Sequence, residues 1–485
     1  MNRIVALFLL TLASFCTTLH AQNIHPPLTA EQVAAIDRFV DSSMQARNIP
    51  GVALGVYSRG HILLAKGYGM SNVELSVPVK PETVFQSGSV GKQFASAAIM
   101  MLVEENKIQL DDSIVKYFPD APETWKPILV KNLLSHTSAL PEYETAERAG
   151  PKGPFYMRLD FTEDEMVAKV EALPIDFKVG EQWDYRNTNY LLLGIIIHKV
   201  TGKFYADFLK ERIFEPLGMT STRLISEADI IPNRAAGYEL HGKELKNQEW
   251  VSPTFNSTAD GTLYFNVLDI AKWDGALYGT TLLKQSSLDR MWTVYPLNDG
   301  KPNPASYGFG WMMEPMNGHK TTQHGGAWQG FTCFILRYPD DNLTVAVLAN
   351  LAGGGPGMIA KVVAGMINPA LMPPKLTAIP DDQPALAVNL KTLLGQLAAG
   401  EDVRSQLSTE LAAELTPEAV MDLRSEMKDV LPPDSLELVI RKTLASGVAS
   451  CYRIRKGNHA MLVTYQLDKS GKVSIFMDSP DQEYR

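Results

Sequence analysis

The sequence predicts an α+β fold: an antiparallel sheet flanked by helices, an inserted all-helical lobe, and a small C-terminal α+β domain. Two observations predict it. Strand patterns occur near residues 51–66 and return after residue 306, with a mostly helical stretch at about 93–290 between them. Residues 368–385 then hold five prolines, which is typical of a linker. A sheet split between two chain ends, with helices inserted, indicates two lobes around one sheet.

The individual elements follow from local patterns in chain order. An amphipathic helix is predicted over residues 29–47, beginning near Thr29. Strands are predicted at 51–57, 61–66, 307–311, 331–338 and 343–348, and a helix at 357–367. Residues 386–485 are predicted as an accessory α+β domain, with helices to about 430 and strands at 436–442, 449–455, 460–467 and 472–477.

Residues 1–21 are typical of a signal peptide. A short basic start precedes an apolar stretch at 4–15, which is too short to span a bilayer, and cleavage is expected after Ala21. Bulky Phe15 before Cys16 argues against a lipid-attachment site there. We therefore expect export to the periplasm or the medium, with no transmembrane segment after the signal.

Charge and cysteine content exclude several partner classes. A net charge of −9 without a long basic run argues against nucleic acid. No His, Asp or Glu cluster has metal-ligand spacing, so neither a metal nor another cofactor is predicted. Cys333 and Cys451 are interpreted as two separate thiols, although export would permit a disulfide between them. The oligomeric state is left open.

The segment around Ser89 is the first candidate for chemistry. Lys92 follows Ser89 by three residues, where an apolar helix begins at 94–103, and residues three apart on a helix share a face. A serine hydroxyl becomes a useful nucleophile when a neighbouring base takes its proton. A lysine whose pKa is lowered by burial can be that base.

The Ser-x-x-Lys pattern alone is weak, because it recurs at Ser113/Lys116 and at Ser425/Lys428. The first pair follows two aspartates and is typical of a solvated helix start. The second lies in a charged amphipathic helix. Only Ser89 is followed by a helix apolar on nearly every face, which indicates burial.

Two Tyr-x-Asn tripeptides offer a second proton-handling group. Asn266 precedes a helix and is interpreted as its N-cap, so Tyr264 and Asn266 are assigned a structural role. Tyr185 and Asn187 lie in a polar loop just before an apolar helix, a typical place for catalytic groups. We expect Tyr185 to lie beside Lys92, where an ammonium would favour its phenolate.

The third candidate element is the segment His324-Gly325-Gly326-Ala327, predicted to lie between strands. Successive glycines allow a backbone to approach a ligand closely. The amides of this segment and of Ser89 would supply an oxyanion site.

Together these motifs resemble the serine β-lactamase and penicillin-binding-protein superfamily, in its class C-like branch. The motifs are Ser89-x-x-Lys92, Tyr185-x-Asn187 and His324-x-Gly326, in that order. Three flanking strings are also similar to that branch, at 133–141, 214–219 and 328–331. The resemblance covers about residues 30–367 and implies a β-lactamase/transpeptidase-like serine hydrolase domain over residues 22–367.

The resemblance implies an acyl-enzyme mechanism. Ser89 would attack the carbonyl, Lys92 and Tyr185 would handle the protons, and Asn187 would help hold a substrate amide. The amides of Ala327 and Ser89 would form the oxyanion hole. His324 and Gly326 would line the opposite wall of the site. His136 and Ser138 are interpreted as scaffold, with no chemistry assigned.

The third motif departs from the Lys-Thr-Gly of β-lactamases. His324 is only partly charged near neutral pH, and Gly325 replaces the hydroxyl residue, so recognition of a substrate carboxylate should be weaker. We therefore expect hydrolysis of a small ester, a D-peptide or a peptidoglycan-derived substrate. The alternatives are a true β-lactamase, an inactive sensor that binds peptidoglycan fragments, and a binding module directed by residues 386–485.

Overall fold

The computed structural model describes residues 24–415, 417–444 and 447–481; the predicted signal peptide lies outside them. The strands, numbered in chain order, are β1 (Gly51–Ser58), β2 (His61–Asn72), β3 (Val77–Pro78), β4 (Phe85–Gln86), β5 (Arg223–Leu224), β6 (Tyr238–His241), β7 (Glu244–Asn247), β8 (Leu263–Phe265), β9 (Thr322–Trp328), β10 (Phe331–Tyr338), β11 (Leu343–Ala349), β12 (Ser435–Leu444), β13 (Gly447–Lys456), β14 (His459–Leu467) and β15 (Val473–Pro480).

The α-helices, numbered in the same way, are α1 (Ala30–Arg47), α2 (Lys92–Glu104), α3 (Val130–Leu134), α4 (Ala146–Ala149), α5 (Glu163–Glu171), α6 (Asn187–Thr201), α7 (Tyr205–Leu209), α8 (Glu215–Leu217), α9 (Val267–Ala276), α10 (Gln285–Met291), α11 (Pro356–Ile367), α12 (Pro384–Ala399), α13 (Thr409–Glu414) and α14 (Pro417–Glu426). A π-helical turn at Lys210–Phe214 joins α7 to α8. Among the described helices, none combines the length and the apolar character needed to cross a bilayer.

The main sheet joins strands from both ends of the first 367 residues. Its order is β3-β2-β1-β11-β10-β9, and its neighbouring strands are antiparallel. β1 and β11 form its centre, are buried along their whole length, and pair with Leu54 opposite Val347. The predicted antiparallel sheet with a helical insertion is therefore confirmed.

Helix α1, together with α11, covers one face of the main sheet. Thr29 caps the helix by accepting from the Gln32 amide at 3.1 Å, and the Gln32 side chain accepts from the Thr29 amide. Both Ile36 and Val40 are buried, and they pack with α11 over the β1–β11 face. The predicted start near Thr29 and the predicted helix at 357–367 match the structure to within one residue.

The inserted region packs against the other face of the sheet and forms the largest core. Its central helices α2 and α6 are buried over most of their length, as the continuous apolar runs predict. Alongside the helices the region contains the small sheet β4-β8-β5 and the hairpin β6-β7. The chain runs from the end of β4 directly into the turn that carries Ser89.

Two local predictions on the later strands are wrong. Residues 307–311 form no strand, because Gly310 adopts a left-handed φ of +77° and the chain turns between Tyr307 and Met312. His324 and its glycines lie inside the edge strand β9 and not between strands, because β9 pairs with β10 through Gly326 opposite Cys333. The alternation of apolar and polar residues that predicts a strand is absent around the two glycines, so β9 could not be predicted from the sequence.

The C-terminal residues form a four-stranded sheet, in the order β12-β13-β14-β15, beside helices α12–α14. One face of the sheet packs on these helices in a separate core that includes Leu394, Tyr452 and Val463. The segment before it contains a short 3₁₀ turn at Pro369–Leu371, and α12 begins at Pro384. The Lys442 ammonium lies 2.7 Å from the Glu314 carboxylate and joins the two parts of the chain.

Cys333 and Cys451 are both buried free thiols, in agreement with the preferred prediction of two separate cysteines. Cys333 lies beneath the candidate site, where its Sγ donates to the Gln86 carbonyl at 3.0 Å. Burial raises its pKa, so the thiol stays protonated.

Candidate active site

Ser89 and Lys92 lie together where a 3₁₀ turn at Gly88–Gly91 runs into helix α2. Residues three apart in a 3₁₀ turn lie one above the other. The Lys92 Nζ donates to the Ser89 Oγ at 2.9 Å. The predicted pairing of hydroxyl and amine is therefore present in the structure, in a tighter turn than the predicted α-helix.

The Lys92 ammonium is completely buried and has two further acceptors. It donates to the Asn187 Oδ1 at 2.7 Å and to the Asp260 backbone carbonyl at 2.5 Å. Burial lowers the pKa of Lys92 to about 8, against the opposing effect of nearby carboxylates, of which Asp260 is the strongest. About one tenth of the amine is then neutral at pH 7, far more than for an exposed lysine.

Asn187 connects the amine to an acidic wall. It is the first residue of α6, and its backbone N–H donates to the Glu142 Oε2 at 2.5 Å. Its side-chain Nδ2 donates to the Glu144 Oε2 at 2.8 Å. Because Lys92 needs an acceptor and Glu144 a donor, the orientation of the Asn187 amide is fixed by its partners.

Three carboxyl groups surround this network, and the sequence prediction missed all of them: Glu142, Glu144 and Asp260. Burial, together with Asp260 and Glu142, raises the pKa of Glu144 to about 8. Asp260 is buried and accepts from the Tyr143 hydroxyl at 2.5 Å. A signal existed for Glu142, which directly follows the string at 133–141; nothing in the sequence distinguishes Asp260 from a surface acid.

Tyr185 lies beside Lys92, with its ring centre 4.9 Å from the Nζ. Its hydroxyl is buried without a hydrogen bond of ordinary geometry to any described residue. Burial raises the pKa of the Tyr185 hydroxyl well above its usual value, and the neighbouring Ser89 hydroxyl only partly offsets this. The expectation that Lys92 favours a phenolate is therefore wrong for the free protein, because desolvation outweighs the nearby charge.

His136, treated as scaffold at the sequence level, holds the tyrosine in place. Its ring lies 4.4 Å from that of Tyr185, centre to centre. Its Nδ1 accepts from the Arg186 amide at 3.2 Å and lies 3.1 Å from the Asn189 Nδ2. Burial keeps the pKa of His136 well below its usual value, so the ring is neutral. Ser138 completes this scaffold through a 2.5 Å bond to the Asn189 Oδ1.

His324 faces the same cleft from β9 and is also neutral. Its Nδ1 lies 2.5 Å from the Gly325 carbonyl, and its Nε2 lies 3.0 Å from the Tyr307 hydroxyl. Burial and the Lys92 charge lower the pKa of His324 to about 4. Tyr307, another residue that the sequence prediction missed, therefore acts as the donor to an uncharged ring. The partial positive charge expected on His324 is absent near neutral pH.

Two glycines bring β9 against the Ser89 turn. A Cβ atom at Gly326 would lie 2.8 Å from the Ser89 amide nitrogen, and one at Gly88 would lie 2.3 Å from the Ala327 nitrogen. Gly88 also has a left-handed φ of +48°. The amides predicted to form an oxyanion hole are thus on adjoining backbone segments.

The fold and this arrangement of Ser89, Lys92 and Tyr185 define a class, the serine β-lactamase and penicillin-binding-protein superfamily. The profile of the family described as Beta-lactamase matches residues 36–363. The chain belongs to this family, whose members are serine hydrolases.

Curated relatives match this chain over about two thirds of their own length. Penicillin-binding protein 4* of Bacillus subtilis (strain 168) is 30% identical over 310 residues, which are 60% of this chain and 66% of the relative. Protein flp of Staphylococcus aureus (strain N315) is 28% identical over 335 residues, which are 67% of this chain and 64% of the relative.

Solved structures show the same fold. The octameric penicillin-binding protein homologue from Pyrococcus abyssi superposes with a TM-score of 0.60 and 25% identity, over 93% of this chain and 96% of that one. D-amino acid amidase from Ochrobactrum anthropi SV3 superposes with a TM-score of 0.59 and 25% identity, over 70% of this chain and 99% of that one. Because the match to the Pyrococcus abyssi protein covers 93% of this chain, it extends into the C-terminal sheet.

Proposed function

We propose that this protein is an exported serine hydrolase that forms an acyl-enzyme at Ser89 on small esters or on amides and peptides of D-amino acids. One observation carries the proposal: a completely buried lysine, with its pKa lowered to about 8, lies 2.9 Å from the serine hydroxyl. An amine of this kind accepts a proton near neutral pH, which an exposed lysine does not.

Acylation then exchanges one bond and moves a proton, in steps, from Ser89 to the leaving group. The Ser89 Oγ bonds to the substrate carbonyl carbon while its proton passes to the neutral Lys92 amine. The carbonyl oxygen becomes an oxyanion, for which the Ser89 and Ala327 amides are the available donors. When the carbonyl re-forms, the bond to the leaving oxygen or nitrogen breaks. Water later attacks the ester at Ser89 in the reverse sequence and releases the acid.

Tyr185 is the donor to the leaving group in this proposal. Its hydroxyl is protonated, buried and without a fixed hydrogen bond, so it can donate to a departing oxygen or nitrogen and be reprotonated from Lys92. The Asn187 amide keeps the Lys92 amine aligned with Ser89 through its 2.7 Å bond. The predicted contact with the substrate would be made by the second N–H of the Asn187 side-chain amide, because the first donates to Glu144.

The charges of the site support esters and D-amino acid derivatives over β-lactams. His324 is neutral and both of its nitrogens have partners, so it offers no cation to a substrate carboxylate. Glu142 and Glu144 line the Asn187 side of the site, and their carboxyl oxygens can accept hydrogen bonds from a substrate ammonium group. The similarity to a D-amino acid amidase supports the same substrate class. Export is proposed from residues 1–21 alone.

A substrate panel tests the proposal. We expect the purified chain to hydrolyse short-chain aryl esters, D-alanine amide or D-alanyl-D-alanine peptides faster than a chromogenic cephalosporin. We also expect D-alanine amide to be preferred over its N-acetyl derivative, which lacks the ammonium group. A cephalosporin turned over far faster than all the others would establish the β-lactamase alternative, and no turnover of any acyl donor would establish a binding protein.

A further inference from the structure

A large cavity lies between the C-terminal sheet and helix α11 of the preceding domain. Its volume is about 840 Å³, within the range of roughly 300–1,000 Å³ that is typical of small-molecule sites. None of the Ser89 site residues lines it. Its apolar lining includes residues from all four strands of the sheet and from α11: Ile440, Cys451, Leu462, Met477 and Met358.

The sheet presents two apolar faces, and its own helices cover only one. Tyr452 and Val463 point into the core shared with α12–α14, whereas their neighbours Cys451 and Leu462 point to the cavity. On the cavity side the packing is incomplete, since 58% of the Met477 surface stays exposed. An apolar face left unfilled between two domains is where a ligand finds apolar surface to bury.

The cavity also contains a lysine without a partner. Lys361 projects from α11 into the lining, and among the described residues it makes no hydrogen bond or ion pair. Burial lowers its pKa, as does the nearby Lys442, against the effect of Glu314. Glu314 itself is paired with Lys442 at 2.7 Å. A further acid of the lining, Asp481, is paired with Arg453 at 2.5 Å.

We propose that this cavity binds an amphiphile with one alkyl chain and an anionic head, such as a long-chain carboxylate. The alkyl chain would lie on the Leu462 face of the sheet, and the carboxylate would pair with the Lys361 ammonium. A partly buried ammonium without a partner is costly, and a carboxylate supplies both charge and hydrogen-bond acceptors. Neutral and cationic amphiphiles match the apolar wall but not Lys361.

Calorimetric titration of the full chain with three twelve-carbon probes tests this inference: sodium dodecanoate, dodecanol and dodecyltrimethylammonium, each below its micellar concentration. We expect saturable binding with dodecanoate tightest. Lys361→Gln should weaken dodecanoate binding about tenfold or more, as expected for a lost charge-assisted bond. The same variant should leave dodecanol binding within about twofold. Lys126→Gln, an exposed lysine of the inserted lobe, is the matched control and should change nothing.

Met477→Glu is a second variant that keeps the test decisive if Lys361→Gln does not fold. Its position is largely exposed, so folding should survive, but a carboxylate there should abolish dodecanoate binding. Equal affinity for all three probes, no binding of any probe, or an unchanged dodecanoate affinity in both variants would overturn the proposal. A concentration-dependent dimer that competes with dodecanoate would assign the face to a second copy instead. Ester hydrolysis at Ser89 is measured separately, so failure here leaves the proposed catalytic function untouched.

Discussion

Ser89/Lys92 and Ser113/Lys116 share one sequence pattern, yet only the first pair is equipped for chemistry. Ser89 lies within a 3₁₀ turn, and Ser113 is the extended residue that precedes one. The Ser113 Oγ donates to the Lys126 carbonyl at 2.7 Å, and the half-exposed Lys116 forms an ion pair with Asp112 at 2.9 Å. Lys92 is instead completely buried. Spacing brings the two groups together, but burial is what turns the amine into a base.

The two Tyr-x-Asn tripeptides show the same contrast. Asn266 caps α9 by accepting from the Asp269 amide at 2.8 Å, and its Nδ2 donates to the Glu82 backbone carbonyl at 3.4 Å. Asn187 also starts a helix, but its side chain bridges Lys92 and Glu144. Asn266 precedes its helix as the N-cap and Asn187 is the first residue of its own helix, and of the two only Asn187 contacts charged side chains.

Replacing the nucleophile should give the largest difference between the two turns. Ser89→Ala removes the attacking oxygen, and we expect ester turnover to fall roughly 10⁴-fold or more. Ser113→Ala, the matched control, should leave turnover unchanged, because it loses only a surface hydrogen bond. Initial rates with an aryl ester measure both. Turnover that persists in Ser89→Ala would remove Ser89 from the mechanism.

Exchanging the base should give the next largest effect. Lys92→Arg keeps a cation but removes a group that can lose its proton, so kcat should fall about 10²- to 10⁴-fold. Lys116→Arg retains the ion pair with Asp112 and should keep full activity. Circular dichroism verifies that both variants are folded. A Lys92→Arg enzyme of normal kcat would show that no amine base is needed.

Tyr185→Phe separates chemistry from stability. The change removes a buried hydroxyl without a fixed hydrogen bond, so Tm should not decrease, while kcat should fall about 10²-fold through loss of the proton donor. Steady-state kinetics and thermal unfolding test the two expectations. A variant with lower Tm and normal kcat would assign Tyr185 a purely structural role.

The pH profile should follow the lowered pKa of the lysine. The active form has a neutral Lys92 amine, so kcat/KM should rise with pH, increase about tenfold between pH 7 and 9, and reach a plateau above about pH 9. Because Glu144 titrates in the same range, the apparent pKa of the profile belongs to Lys92 and Glu144 together. Glu144→Gln removes a charge that raises the lysine pKa and should shift the rise to lower pH. A profile flat from pH 6 to 9 would contradict this assignment.

Asn266→Ala should have the smallest effect. Loss of an N-cap costs about 1 kcal/mol of unfolding free energy, and kcat should remain within about twofold. Denaturant unfolding and steady-state kinetics measure the two quantities. Lost activity at unchanged stability would mean that Tyr264-x-Asn266, not only Tyr185-x-Asn187, belongs to a catalytic site.

Much of the fold could be predicted because its elements have strong local signals. The capped helix at Thr29, the buried strands β1 and β11, and the alternating C-terminal strands all follow from periodicity. The strand predicted at 307–311 failed where Gly310 permits a turn, and β9 was missed where glycines replace apolar residues. In both places the glycines have no side chain, so the sequence shows no alternation of polar and apolar residues from which the structure could be predicted.

The candidate site was predictable where a motif marks it and not where only tertiary packing does. Ser89, Lys92, Tyr185 and His324 belong to spaced motifs, and the structure brings them into one cleft. Asp260 reaches the Lys92 amine through a backbone carbonyl, which no side-chain pattern reveals. The neutral state of His324 was likewise hidden, because it depends on burial and on the Lys92 charge.

Mapping the covalent adduct of a fluorophosphonate probe tests whether Ser89, activated by Lys92, is the nucleophile. After labelling at pH 8 and proteolysis, mass spectrometry should place the phosphonyl group on the peptide that contains Ser89, with none on Ser113. Labelling should weaken at pH 6, where Lys92 is protonated. An adduct confined to another residue, or none on a folded protein that hydrolyses esters, would show that Ser89 is not the nucleophile.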